Sequence, residues 1–333
     1  MTARTHPYRV PAARDDERVV WPAPFGTRFI VFVDVEEEFD WRRPLSRENR
    51  GTTAMAAFPD AHRRFADEGV ALACMVDHPV AADARAVDML RRAVEDGRSS
   101  IGAQLHAWVT PPFDEALTPA NTYPGNLPPA LEAAKLDTMT AALIAAFGRA
   151  PLAYRAGRYG IGPHTLPLLA ARGYRIDTSM RARYDYRADG GPDFGAIGNV
   201  AFVREGMIEL PLTTVYTGAA RRFGPRLHAA AGTIRHARGV LARTGLLSRV
   251  ALTPEDMPIA DAREAVSVAA GEGTRLLVLS FHSPSLAPGH TPYVRDAADL
   301  AQFHGWWTAM FAHLRHHGIA PATLDEVLAA AAG

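Results

Sequence analysis

Phe29-Ile30-Val31-Phe32-Val33-Asp34-Val35-Glu36-Glu37-Glu38 runs five apolar residues directly into a cluster of acids broken only by Val35. An unbroken apolar run of this length reads as a strand buried on both faces, the kind found in parallel sheets. Acids packed so closely at its tip repel one another unless a cation, a bound proton or an arginine offsets the repulsion. The expectation is therefore a metal centre or a proton relay at the strand end. The plainer alternative is a solvated acidic loop that happens to follow a strand.

Outward from this strand, short apolar or β-branched runs alternate with longer helical patterns, which predicts an α/β fold on a parallel sheet or barrel. Further strands are expected at 70–76, 100–105, 152–154, 174–177, 208–212 and 276–281. Helices are expected at 53–68, 81–95, 131–147, 163–172 and 261–270. Residues 190–200 read as an irregular, Gly-rich excursion. A stretch containing Pro111, Pro112, Pro119, Pro124, Pro128 and Pro129 is too long for an ordinary connection, and long ordered loops usually serve function. With no internal repeat or low-complexity linker, the simplest organisation is an N-terminal extension, 1–27, followed by one barrel domain, 28–333.

Composition narrows the class of protein. The 333 residues are 48% hydrophobic and 22% charged, as in a globular protein, and 36 basic side chains balance 36 acidic ones. That balance excludes a general polyanion binder, so no nucleic-acid partner is expected. The single cysteine, Cys74, lies in an apolar run and reads as a core thiol. The first 24 residues lack the apolar stretch of a secretory signal, which makes a cytoplasmic location the expectation. No apolar run reaches the roughly 18 residues of a membrane span. A basic segment with Arg221, Arg222, Arg226, Arg235, Arg238 and Arg243, interleaved with Leu, Ala and Val, reads as an amphipathic surface helix. A solvated face is the simpler account of it and contact with anionic lipid the alternative.

Polar groups recur at the C-terminal ends of successive expected strands. Asp34 and Glu36 follow the first, Asp77 and His78 the second, Gln104 and His106 the third, Arg155 and Arg158 the fourth, Asp177 the fifth and His282 the last. In a barrel of parallel strands these ends share one side and surround one site. Each residue alone has a structural explanation, but the recurrence points to an enzyme. Aromatic Trp41, Trp108, Tyr123 and Tyr159 lie near these positions and suit stacking on sugar faces, or core packing.

Four segments in order, residues 32–41 (FVDVEEEFDW), 101–108 (IGAQLHAW), 154–160 (YRAGRYG) and 279–286 (LSFHSPSL), make the chain resemble the polysaccharide deacetylase family, carbohydrate esterase family 4-like, and in particular its lipopolysaccharide-cluster branch. The resemblance implies an irregular (β/α) barrel with about seven parallel strands. It also implies hydrolysis of a non-peptide carbon–nitrogen bond with a divalent metal ion, zinc by preference. The substrate would be an amino sugar deacetylated in a surface-polysaccharide or lipid-linked lipopolysaccharide precursor. By the same resemblance Asp34 is the general base, Glu36 and His106 are metal ligands, His282 is the general acid, and Arg155 orients and charges the base. Arg158 assists the base or binds substrate, and Trp108 and Tyr159, from the aromatic reading above, are the further candidate substrate contacts. Family members typically bring two histidines to the metal, whereas this chain has Gln104-Leu105-His106. Strand alternation puts Gln104 and His106 on one face, where a neutral amide oxygen could stand in for the missing nitrogen, with weaker affinity. Glu37, Asp77 and His78 are the nearest groups that could compensate. Deformylation or cyclic-imide hydrolysis is the alternative within the same chemistry, and a catalytically silent glycan-binding relative the alternative outside it.

Overall fold

The structure is a computed structural model that describes residues 7–331. Its strands are β1 (Arg28–Val35), β2 (Leu72–Val76), β3 (Ser100–Leu105), β4 (Ala153–Ala156), β5 (Ile176–Asp177), β6 (Phe202–Arg204), β7 (Met207–Glu209), β8 (Thr214–Thr217), β9 (Ser248–Ala251), β10 (Leu276–His282) and β11 (Ala320–Pro321). Its α-helices are α1 (Phe58–Asp67), α2 (His78–Ala82), α3 (Ala84–Ala93), α4 (Pro129–Phe147), α5 (Thr165–Ala170), α6 (Gly224–Ala231), α7 (Ala237–Arg243), α8 (Ile259–Gly271), α9 (Ala297–His316) and α10 (Leu324–Ala331). The main sheet runs β10-β1-β2-β3-β4-β5-β7, all parallel, with β6 antiparallel at its edge and β11 touching the start of β1. Seven parallel strands thus form the irregular, curled (β/α) barrel anticipated from the sequence.

Strand β1 lacks polar alternation because both of its faces are covered. Ile30 and Phe32 point inward with Ala73, Met75, Ala153, Ile176 and Val278, and Phe25, Leu324 and Val327 close this inner core. Val31, Val33 and Val35 point outward into a larger core shared with α1, α4 and α9. Small residues let the layers meet. A Cβ on Gly102 would stand 2.7 Å from the Met75 side chain, so the β3 glycine makes room for it.

The barrel closes without a ladder between β7 and β10. Instead Thr213 N–H donates to Val278 O at 3.1 Å and Ser280 N–H to Leu252 O at 3.2 Å, so two loop segments bridge the gap. The antiparallel β8–β9 ribbon beside this closure was not expected, nor was β6. The basic segment is correspondingly two short helices, α6 and α7, carried on the ribbon rather than one helix. The helix expected at 81–95 is two, α2 and α3, because Asp83 interrupts it. Its carboxylate accepts the Arg85 N–H at 2.9 Å and also the Thr52 hydroxyl. The helix expected at 53–68 opens as a 3-10 turn, Thr53–Ala57. Residues 7–27 lie along the domain: Val10 is in the outer core, and Val19 N–H donates to Ala201 O at 2.9 Å.

The Pro-rich stretch is pinned from below by one buried cation. Lys135 of α4 is fully buried and its ammonium donates to the carbonyls of Ala107, Thr110 and Pro112 at 2.9, 2.7 and 2.6 Å. Glu115 pairs with it at 3.2 Å. Further along, Gly125 N–H donates to Gly160 O at 2.6 Å, and a Cβ on Gly125 would stand 1.9 Å from Gly162 N. The loop therefore meets the turn after β4 backbone to backbone, which only glycine permits. Replacing Lys135 with Met should leave these carbonyls without their donor, and Glu115 with only Arg47 at 3.8 Å, and cost about 3 kcal/mol in chemical denaturation. Faster proteolysis within residues 107–119 should accompany it. Unchanged stability and unchanged cleavage would show that the loop is held by other contacts.

Candidate active site

Inward-facing positions at the C-terminal ends of the strands bring the site together. The parity that sends Ile30 and Phe32 into the barrel sends Asp34 and then Glu36 the same way. Register does the rest: Asp34 lies beside His282 across β1–β10, and Gln104 beside Arg155 across β3–β4. Asp34, Glu36, Gln104, His106, Trp108, Arg158, Tyr159 and His282 all line one cavity of about 500 Å³. Arg155 stands behind its wall, fully buried. Its Nη1 pairs with Asp34 Oδ1, and its Nη2 donates to Thr178 Oγ1 at 3.1 Å. Arg155 thus supplies the positive charge that offsets the Asp34 carboxylate.

Asp34 Oδ2 faces His282 Nε2 at 3.6 Å. The other ring nitrogen of His282 is held by Glu255, whose Oε2 lies 2.6 Å from Nδ1 and whose Oε1 accepts the His282 N–H at 3.1 Å. Ser285 Oγ donates to Glu255 Oε1 at 2.6 Å. Burial opposes a charge on the imidazole, but the Glu255, Glu36 and Asp34 carboxylates outweigh it and raise the His282 pKa to about 10. Glu255 escaped the sequence reading. It lies in the loop Pro254-Glu255-Asp256, with no apolar periodicity and no strand end to mark it.

Each acid of the opening cluster has a separate task. Glu36 lies inside, against Gln104 Nε2 at 3.1 Å and His106 Nε2 at 3.5 Å, and burial raises its pKa to about 8. Glu37 points the other way and lies behind His106. Its Oε2 is 2.7 Å from His106 Nδ1, and its Oε1 accepts the Trp108 indole N–H at 2.7 Å. Glu38 accepts the Ala54 N–H at 2.6 Å and the Thr53 hydroxyl at 2.8 Å, tying down the loop beyond. Asp77 accepts the Glu37 N–H at 2.7 Å and caps α2 through Val80 N–H at 2.9 Å. Glu37 and Asp77 therefore support His106 from behind. His78 begins α2 and does not line the cavity.

Gln104 lies on the same face as His106, with its amide nitrogen toward the site. Its Nε2 sits 3.1 Å from Glu36 Oε2 and 3.1 Å from His106 Nε2, so the amide donates to both. This makes His106 Nε2 an acceptor and places the imidazole proton on Nδ1, toward Glu37. Two converging acceptors need donors, and the amide N–H₂ provides them. Turning the amide over would present Oε1 instead.

The residues fit a divalent cation. Glu36 Oε1 and Gln104 Oε1 are buried acceptors with no hydrogen-bond partner among the described residues. Glu36 Oε2 and His106 Nε2 lie 3.5 Å apart, a buried carboxylate orients His106 as in many metal sites, and ligand atoms of Glu37, Asp77 and His106 lie within 4.8 Å of one another. Ligand atoms of Asp34, Glu36 and His282 also lie within 4.8 Å of one another. One carboxylate, one imidazole and one amide form a weaker set than one with two imidazoles.

Around this floor the walls are aromatic. Trp108 is buried, stacks on His106 with centroids 4.2 Å apart, and spends its N–H on Glu37, so it positions His106 as well as lining the cavity. Gly157 allows this packing, since a Cβ there would stand 2.5 Å from the His106 ring. Tyr159 stacks on Tyr186 at 5.7 Å, and Arg158 lies over the Tyr123 ring at 4.1 Å. Trp41 meets the His282 ring edge-on at 5.2 Å. Asp177 points out of the barrel toward Glu209, beside it in the β5–β7 register, and takes no part in the cavity.

No family model matches the chain, and no curated protein matches it. Among solved structures it is similar to a presumed polysaccharide deacetylase from Mycobacterium smegmatis, at 20% identity and a TM-score of 0.49, over 95% of this chain and 98% of that one. A presumed polysaccharide deacetylase from Pseudomonas aeruginosa PAO1 matches at 14% identity and a TM-score of 0.48, over 90% and 88% of the two chains. A CE4 family pseudoenzyme from Bacillus anthracis matches at 8% identity and a TM-score of 0.42, over 91% and 66%. At these values the likeness carries nothing about activity, and the chemistry rests on the side chains themselves.

The Glu255–His282 contact has a pH signature. A histidine whose folded pKa is raised from 6.5 to about 10 stabilises the fold fully below the lower value, and that stabilisation is lost as the pH rises through the upper one. In metal-free protein, Glu255→Gln should lower the His282 pKa, read by NMR of the imidazole, and flatten the decline of stability on the alkaline side. An unchanged imidazole titration would contradict the assigned pairing.

Proposed function

We propose that the protein is a metal-dependent hydrolase of a carbon–nitrogen bond, removing the N-acyl group of an amino sugar in a surface-glycan or lipid-linked saccharide precursor. The observation that carries this reading is the opposition of Asp34 and His282 across the cavity floor, each backed by a buried partner of opposite charge, next to the Glu36–Gln104–His106 face. Amide hydrolysis needs a base for the attacking water, stabilisation of the developing oxyanion, and an acid for the departing amine.

In this arrangement Asp34, fixed by Arg155, accepts the proton of the water. His282, charged and oriented by Glu255, gives its proton to the leaving nitrogen. Glu36, His106 and, with its amide turned over, Gln104 would hold the metal, zinc being the ion that such nitrogen and oxygen donors suit best. Bound there, a divalent cation supplies Lewis-acid polarisation of the acyl oxygen. Trp41, Tyr159 and Arg158 line the space beside the reacting groups, where rings can cover sugar faces and the guanidinium can hydrogen-bond to hydroxyls.

The Gln104 amide, which already bridges Glu36 and His106, favours a second reading: a glycan-binding relative without catalysis. Variants separate the two. Asp34→Asn and His282→Ala should each lower acyl release from N-acetylated amino-sugar oligomers by ~10²–10⁴-fold with the fold intact. Glu36→Ala should also lower the bound metal measured by mass spectrometry. Gln104→His should tighten zinc binding. Full turnover by Asp34→Asn would exclude it as the base, and glycan binding without turnover or metal uptake would establish the silent reading.

A further inference from the structure

From Leu210 to Pro254 the chain carries seven arginines and no aspartate or glutamate, although the whole protein is balanced in charge. This stretch forms the β8–β9 ribbon and the α6–α7 pair that projects from it. Arg221, Arg222, Arg226, Arg235, Arg238 and Arg243 are all exposed, and among the described residues none has a carboxylate within 4.0 Å. Elsewhere surface arginines are commonly paired, as Arg92 is with Asp88 and Arg187 with Asp185. The same small unit exposes Phe223 at 67%, Ile234 at 66%, Val240 and Leu246, four of the ten large hydrophobic side chains most exposed among the described residues. Tyr216, Ala231 and Leu247 secure it from beneath.

We propose that this helical hairpin is a docking surface for an anionic lipid bilayer. Arginines would engage lipid phosphates while the exposed aromatic and aliphatic side chains enter the headgroup boundary, a combination that interfacial helices use. A second copy of the chain is a poor occupant, because a two-fold contact through this patch would set arginine against arginine with no acid to offset either. Nucleic acid would satisfy the arginines but would leave Phe223 and Ile234 without an apolar environment. No helix among the described residues is long and apolar enough to cross a membrane.

The position of the hairpin gives docking a consequence. Arg249, at the base of the ribbon, lies over the Tyr184 ring at 3.5 Å, and Tyr184 stacks on Tyr186 at 5.8 Å. Tyr186 lines the cavity. A protein seated on the hairpin therefore holds the cavity near the bilayer, where a saccharide on a lipid carrier would be presented. The docking itself stands independently of the proposed reaction.

Sedimentation of the full chain with vesicles tests it. Wild-type protein should pellet with vesicles of phosphatidylcholine mixed with phosphatidylglycerol, stay in solution with phosphatidylcholine alone, and be released by salt. Arg235→Gln combined with Arg243→Gln should lower partitioning ~25-fold, at roughly fivefold for each charge. Phe223→Ser combined with Ile234→Ser should lower it as well, and both pairs should keep the wild-type thermal midpoint. Absence of binding to the anionic vesicles, equal binding to neutral ones, or variants that bind as wild type would overturn the proposal. So would preferential binding of a homopolymeric RNA, or a concentration-dependent dimer that these variants abolish. Because sedimentation reads no turnover, an inactive protein that docks would refute the reaction and leave the surface standing.

Discussion

Asp34 and Arg155 form a buried ion pair at the top of a barrel whose lower interior is almost wholly apolar. Two charges in such a place are tolerable only together. Removing one partner of a buried pair typically costs several kcal/mol, because the other is left uncompensated. The surroundings are organised around this constraint: Thr178 takes a second guanidinium N–H, the Phe32 ring lies 5.2 Å from the guanidinium carbon, and the β3–β4 register places Gln104 alongside. The pair also fixes the free oxygen of Asp34 toward His282, and so sets the axis of the site.

The same logic repeats one layer out. Three polar groups on the cavity floor are held from behind by another buried group: Asp34 by Arg155, His282 by Glu255, and His106 by Glu37, which Trp108 and the α2 cap at Asp77 keep in place. Such networks position reacting groups without loss on reaction, because the orienting contacts are made in the folded protein. Glu36 and Gln104 differ: the amide bridges Glu36 and His106, and one oxygen of each side chain has no partner among the described residues.

Much of the fold was legible because buried parallel strands advertise themselves. Ser100–Leu105 lies where its apolar pattern placed it, and β1 and β10 extend their expected runs by only one or two residues at either end. Front-row site residues were legible for a related reason: they sit at strand ends and share the inward parity. What stayed hidden depends on three-dimensional closure. Glu255 gains its role only because residue 252 bridges to β10, which no local pattern encodes. The β8–β9 ribbon was masked by the arginine-rich helices between its strands, and the break at Asp83 by an apolar periodicity that continues across it. The orientations of Glu37 and Gln104 likewise follow from neighbours distant in sequence.

The central claim is that the Glu36–Gln104–His106 face holds a divalent cation that serves hydrolysis at Asp34 and His282. Acyl release from an N-acetylated amino-sugar oligomer tests it most directly when followed through chelation, dialysis and re-addition of zinc or cobalt. The account predicts that turnover is lost on chelation and restored by the added ion. Turnover that persists in metal-free protein, or that no divalent ion elicits, would contradict it.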